Sequence, residues 1–232
     1  VTLSARQRIV VLLSGRGSNY RALRRAQEES GFRGETVAVI SDRIEAAGLG
    51  LAHADGLDTV CVERRRYPDR ASFERGLGLA IAGFDAYWIV LAGFMRVLSA
   101  EFVHAHQGRM INIHPSLLPR HRGLHTHQRV LEAGEREHGA SVHFVTPELD
   151  GGPVISQVPM AVEPDDTAED LAERLLPLEH RLLPATMALL LSESVELRDE
   201  GISIQGKRLL RPLELGADLS DDGRLLGQRW NA

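Results

Sequence analysis

Apolar residues fall along this chain in short blocks, and most blocks carry the period of a strand or of a helix. Residues 9–13 are continuously apolar, as expected of a central parallel strand covered on both faces. Residues 36–40, 59–62 and 87–92 repeat that pattern, and 109–113 form a further apolar, β-branched block. Between these blocks lie stretches with helical spacing. Residues 20–29 carry Ala22, Leu23 and Ala26; 46–54 are helical in pattern; and 69–82 place Phe73, Leu77 and Ile81 at i, i+4 and i+8. Ser99 is a natural N-cap for a helix beginning near Glu101 and Phe102. The alternation predicts an α/β fold: a Rossmann-like, mostly parallel sheet with helices on both faces.

The pattern changes in the second half. Residues 140–145 alternate, with Val142 and Phe144 on one face and Ser141, His143 and Val145 on the other. Asp150-Gly151-Gly152-Pro153 makes a turn, and 154–158 return as the second arm of an antiparallel hairpin. Asp165-Asp166-Thr167 introduces a long helix whose buried stripe is Leu171, Leu175, Leu178 and Leu182; Pro177 and Pro184 are expected to kink or break it. Short strands at 195–197, 202–204 and 208–210 give an antiparallel C-terminal part. Residues 1–213 read as a single domain, and 214–232, polar and rich in Gly and Asp, as a loosely ordered tail.

Composition narrows the function classes. The 232 residues suffice for one large α/β domain or two small ones, and 43% hydrophobic with 25% charged residues is ordinary for a globular protein with a good core. A net charge of −5 argues against a nucleic-acid footprint, although local donors can still hold a small anion. The single cysteine, Cys61 in TVCV, reads as a buried structural thiol and allows no intramolecular disulfide, which suits a reducing cytoplasm. No stretch approaches the roughly 20 apolar residues of a membrane span. The first eight residues lack the apolar segment of a secretory signal.

The chemistry concentrates in RMINIHPSLLPRHRGLHTH, Arg109 to His127. Asn112 and His114 are two apart on a strand and point to the same side. Pro115 ends the strand and keeps His114 extended. An amide and an imidazole are thus presented together at the carboxyl end of a buried strand, where open α/β sheets bind ligands. A histidine at a strand end is, without context, more often a hydrogen-bonded structural residue. The rigid Pro-Ser-Leu-Leu-Pro loop and the downstream Asp150 shift that balance. An amide can donate to a developing oxyanion, an imidazole can donate a proton, and a nearby carboxylate favours the imidazolium. Acyl or formyl transfer needs this set.

Ser14-Gly15-Arg16-Gly17-Ser18-Asn19 joins the first strand to the first helix. Strand, Gly-rich turn and helix together can seat a phosphate on the free N–H groups of the helix, with Ser18 or Asn19 as its cap. The loop matches neither the dinucleotide fingerprint nor a P-loop, so a plain tight turn is the competing explanation. Eight of the ten histidines lie between His104 and His143, but His125 and His127 stand at i, i+2 and no cysteine joins them. No metal site is expected.

INIHPSLLP, then GLHTH, then HGASVHFVTPELDGGPVI closely resemble the folate-dependent formyltransferases, most closely the branch that acts on glycinamide ribonucleotide. The resemblance runs from about Arg8 to Pro184 and keeps several motifs in order. It implies that Asn112, His114 and Asp150 are catalytic, with Asp150 as the partner of His114. It places the substrate phosphate on Gly17, Ser18 and Asn19, and the glycinamide part on Glu179, although Pro177 and Leu178 depart from the usual polar pattern there. It assigns 10-formyltetrahydrofolate as co-substrate, its pterin read by main-chain groups of Met95, Arg96, Val97 and Leu98. On pattern alone that segment is a core stretch with one snorkelling arginine. Arg70 matches an arginine assigned to folate, and Asn112, His143 and Asp150 complete the folate pocket. Methionyl-tRNA formyltransferases and formyltetrahydrofolate hydrolases share the Asn-x-His and Asp core. The former usually add a C-terminal domain and a basic surface, the latter a leading regulatory domain; only eight residues precede the first strand here. A ligand sensor that keeps the fold without catalysis is the reading from another class. The partners implied are the two small substrates, with no nucleic acid and no membrane, and a monomer or homodimer in the cytoplasm.

Overall fold

The computed structural model describes residues 7–29, 31–199, 201–227 and Trp230. The expectation for the N-terminal segment falls largely on residues 1–6, outside the described residues, as do Gln228, Arg229, Asn231 and Ala232 of the tail. The chain divides into two units, Val1–Asn112 and Ile113–Ala232.

The first unit is built on parallel strands. β1 (Gln7–Leu13) pairs on one side with β2 (Gly34–Ser41), which pairs with β3 (Asp58–Cys61). On its other side β1 pairs with β4 (Trp88–Leu91), which pairs with β5 (Met110–His114). The order β3-β2-β1-β4-β5 reverses direction between β1 and β4. Right-handed crossovers therefore send α1 (Ser18–Ala26) and α2 (Ala47–Ala54) to one face, and α3 (Arg70–Ala82) and α4 (Ala100–Ala105) to the other. Ile9 to Leu13 are fully buried, as their unbroken apolar run requires. Asp69 caps α3 through Ser72 N–H, and Ser99 caps α4 through Phe102 N–H as expected.

Strand β5 crosses into the second unit at Ile113. Beside it in the sheet come β6 (Glu137–Phe144), β7 (Val154–Ala161) and β11 (Leu213–Glu214), in that order. The β6–β7 pair is the antiparallel hairpin read from the sequence. Both faces of β6 are covered, not one. A Cβ on Gly139 would lie 2.2 Å from the Val158 carbonyl oxygen, so glycine is what lets the two strands close. A separate antiparallel sheet holds β8 (Val195–Arg198), β9 (Gly201–Ile204) and β10 (Lys207–Arg208).

The expected break in the long helix does not occur. Helix α6 (Ala168–Ser192) runs unbroken through Pro177 and Pro184. A capping box of Thr167 and Asp170 starts it, and the burial of Leu171, Leu175, Leu182 and Leu183 outweighs the hydrogen bonds the prolines remove. Several of the described residues after Leu213 are packed. Leu219 is fully buried, and buried Asp218 takes both arms of Arg211. Gly223, at φ +81°, lies so close to α6 that a Cβ would be 2.7 Å from the Ala185 carbonyl oxygen. The polar composition that suggested looseness supplies the turns and ion pairs of this packing.

Candidate active site

In the first unit two loops leave the carboxyl ends of adjacent strands β1 and β4, at the point where the strand order reverses. Such a crevice is where open α/β sheets bind ligands.

The loop after β1 holds Gly17, Ser18 and Asn19. Gly17 sits at φ +76° and its Cβ would lie 2.6 Å from the Gly48 Cα on α2. Only glycine fits, and the Gly48 N–H adds a bond to the Gly15 carbonyl at 3.0 Å. Neither Ser18 nor Asn19 is the cap: Gly17 holds that position without a side-chain bond, and α1 starts at Ser18. The first-turn N–H groups are therefore not consumed by a capping side chain.

The loop after β4 carries Met95, Arg96, Val97 and Leu98. Leu98 is buried, whereas Met95 and Val97 are 56% and 55% exposed. The Arg96 Nε donates to the Asp42 carboxylate at 2.5 Å, so the arginine is not merely snorkelling. Arg70 lies 3.5 Å from Glu74, and the buried Glu74 accepts from Ser99 N–H at 2.7 Å and from the Ser99 hydroxyl. Arg70 is thus linked to the end of this loop.

The second unit brings His114, His143 and Asp150 together. His114 is 6% exposed. Its Nε2 lies 3.0 Å from the His121 carbonyl, which can only accept, so Nε2 carries the proton. Its Nδ1 faces Asp150 Oδ2 at 3.5 Å. Asp150 Oδ2 also accepts from Gly123 N–H at 2.8 Å, and His143 Nε2 stands 3.7 Å from Oδ1. Burial alone would push the Asp150 carboxyl up. Hydrogen bonding with His143, the facing His114 ring and the Gly123 N–H outweigh it and hold the carboxyl below its usual range.

For His114 the balance goes the other way, which corrects an expectation. Burial pushes its pKa down, and that effect exceeds the upward pull of Asp150 and of the His121 carbonyl. The resting imidazole is held neutral more strongly than in water, not charged in advance by its carboxylate partner.

The surrounding loop is fixed from β6 and from Glu135, which lies between α5 (Thr126–Glu132) and β6. Buried Ser141 donates to the Ser116 carbonyl at 2.7 Å and accepts from Leu118 N–H at 3.0 Å. His121 Nε2 meets Glu135 at 2.8 Å. Asp150 adopts φ +46°, and Gly152 after it is required: a Cβ there would fall 1.8 Å from the Phe144 carbonyl oxygen. A cavity of about 370 Å³ has Asp150, Gly151, Leu118, Ile202 and Leu209 in its wall. Glu179 lies half-buried mid-way along α6, and Asn112 half-buried on β5.

The formyl transferase family profile matches residues 7–187. This chain belongs to the formyl transferase family. Among its relatives, the phosphoribosylglycinamide formyltransferase of Escherichia coli (strain K12) is 41% identical over 201 residues, covering 87% of this chain and 95% of that protein. The phosphoribosylglycinamide formyltransferase of Coxiella burnetii, solved in complex with CHES, superposes with a TM-score of 0.86 at 42% identity, over 90% of this chain and 98% of that one. The enzyme of the same name from Brucella melitensis gives a TM-score of 0.73 at 46% identity, over 76% and 91%.

Within this formyl transferase, reasoning from sequence passed over the His121 carbonyl, the Gly123 N–H, Ser14 and Asp42. Only Gly123 carried a signal, as a glycine after a charged run where a positive φ, here +81°, is needed. The histidine-rich stretch holds no metal cage: among the described residues no group of three His, Cys, Asp or Glu is placed to bind an ion. His127 Nδ1 and His138 Nε2 instead lie 2.8 Å apart and share a hydrogen, and burial pushes His138 down to about 4. Among the described residues no helix is long and apolar enough to cross a membrane.

Proposed function

We propose that this chain transfers the formyl group of 10-formyltetrahydrofolate to the amine of glycinamide ribonucleotide. The products are formylglycinamide ribonucleotide and tetrahydrofolate, a step of de novo purine (IMP) biosynthesis. The observation that carries this reading is a likeness over nearly the whole length of a phosphoribosylglycinamide formyltransferase, joined to a His114–Asp150 pair at 3.5 Å.

The phosphate rests on Gly17, Ser18 and Asn19 at the start of α1, with Glu179 on the glycinamide amine. The folate lies along Met95, Arg96, Val97 and Leu98, with Arg70, His143 and Asp150 as further contacts. Both substrates are small molecules, and the enzyme works in the cytoplasm as a monomer or homodimer. The amine nitrogen attacks the formyl carbon, and the carbonyl oxygen takes up the electron pair. Asn112 donates to that oxyanion, and His114 stabilises it by its charge once it holds the amine's proton. The neutral His114 accepts the proton released by the amine at Nδ1, where Asp150 faces it. The new imidazolium is thus paired as soon as it forms. Collapse of the intermediate breaks the bond from carbon to the folate nitrogen, which receives the proton.

The test is the absorbance change on deformylation of 10-formyltetrahydrofolate. It should appear only when glycinamide ribonucleotide is also present. Loss of formyl without the acceptor would instead indicate a hydrolase. Gly17→Ala probes the phosphate site. A Cβ there meets Gly48 and the positive φ costs about 1–2 kcal/mol. Initial-rate kinetics should show the KM for glycinamide ribonucleotide rising about tenfold, with the KM for folate little changed.

A further inference from the structure

Asp42 is assigned to neither substrate, yet both its oxygens are engaged by loops to which the proposed function gives one each. It follows the last residue of β2, and its carboxylate is fully buried. Oδ1 accepts from the Ser14 hydroxyl at 2.5 Å, and Oδ2 from Arg96 Nε at 2.5 Å. Ser14 opens the phosphate loop, and its Oγ in turn accepts from Met95 N–H at 2.8 Å. Ser14 N–H also donates to the Gly93 carbonyl at 3.0 Å.

The direction of this chain follows from the chemistry of its members. A carboxylate only accepts, so the single hydroxyl proton of Ser14 must go to Asp42. That leaves the Ser14 lone pairs for the Met95 amide. Arg96 completes the clamp with a charge-assisted bond. Two consecutive residues of the loop are therefore fixed from one buried group, one by its main chain and one by its side chain. An amide at position 42 cannot do the same. If its oxygen faces Ser14, its NH₂ meets Arg96 donor to donor; if it turns, the Ser14 contact reverses.

We infer that Asp42 is a positioning residue for folate: it sets the main-chain groups of Met95 and Arg96 that read the pterin. This rests on the proposed folate role of that loop. The clamp also makes the phosphate loop and the folate loop share one buried carboxylate, so a fault there is felt first by the loop held at two points.

The experiment compares wild type with Asp42→Asn by calorimetric titration with 10-formyl-5,8-dideazafolate and with glycinamide ribonucleotide, and by amide hydrogen exchange without ligand. The variant should bind the folate analogue about tenfold more weakly, while glycinamide ribonucleotide affinity shifts by less than about twofold. Exchange at residues 95–98 should accelerate. Unchanged exchange would overturn the clamp. Faster exchange with unchanged folate affinity, or equal weakening of both ligands, would overturn the positioning role. A wild type that binds no folate analogue would sink the proposed function, and the exchange comparison alone would then decide whether Asp42 holds the loop. Should Asp42→Asn fail to fold, Ser14→Ala removes the Met95 arm only and is judged by the same outcomes.

Discussion

Asp150→Asn is expected to lower kcat by about 10³-fold while the purified variant keeps its fold. The amide can still accept from Gly123 N–H, which Asp150 Oδ2 does now at 2.8 Å, so the turn is preserved. What is lost is the negative charge 3.5 Å from His114 Nδ1. Burial disfavours the imidazolium, and Asp150 is the group that opposes burial. Without it, the proton taken from the amine has no favourable place to reside. The direction of the pH effect follows. Asp150 raises the His114 pKa, so its removal lowers that pKa further. The acid limb of the residual kcat/KM profile should therefore move to lower pH, not higher. Initial rates across a pH series, with circular dichroism as the check on folding, measure both effects.

His114→Ala is the second large effect, a fall of about 10²–10³ in kcat. The alanine removes both the group that receives the proton and the positive charge that then stabilises the oxyanion. It also leaves the His121 carbonyl without its partner at 3.0 Å, though His121 stays anchored to Glu135. Because His114 and Asp150 act as a unit, the double variant should be little worse than either single one. Additive losses in kcat would mean that the two residues work in separate steps. Near-normal turnover in either single variant would remove it from the chemistry.

Much of this arrangement is legible in the chain because local rules and tertiary demands agree. Asn112 and His114 sit on one side of a strand stopped by Pro115, and the strand forms where the apolar block places it. The Asp-Gly-Gly turn is readable because Gly152 has no room for a side chain. The ionisation of His114 was not readable. It depends on whether burial or the carboxylate prevails, and burial is a property of the assembled fold. Asp42 was invisible for a different reason. Its partners Ser14 and Arg96 lie 28 and 54 residues away, and no spacing in the chain joins them. Pro177 and Pro184 misled because a proline rule describes an isolated helix, whereas α6 is held by a buried leucine face. In the tail, polar residues such as Asp218 pack when they find a partner such as Arg211.

The most direct measurement follows the formyl carbon itself. The protein is given 10-formyltetrahydrofolate labelled with carbon-13 in the formyl group, together with glycinamide ribonucleotide, and the products are read by NMR. The label should appear as a formamide on the ribonucleotide amine, in equal amount to tetrahydrofolate, and should stay on folate when the acceptor is left out. Label recovered as free formate, or left on folate with both substrates present, would contradict the assignment of this chain as a glycinamide ribonucleotide formyltransferase.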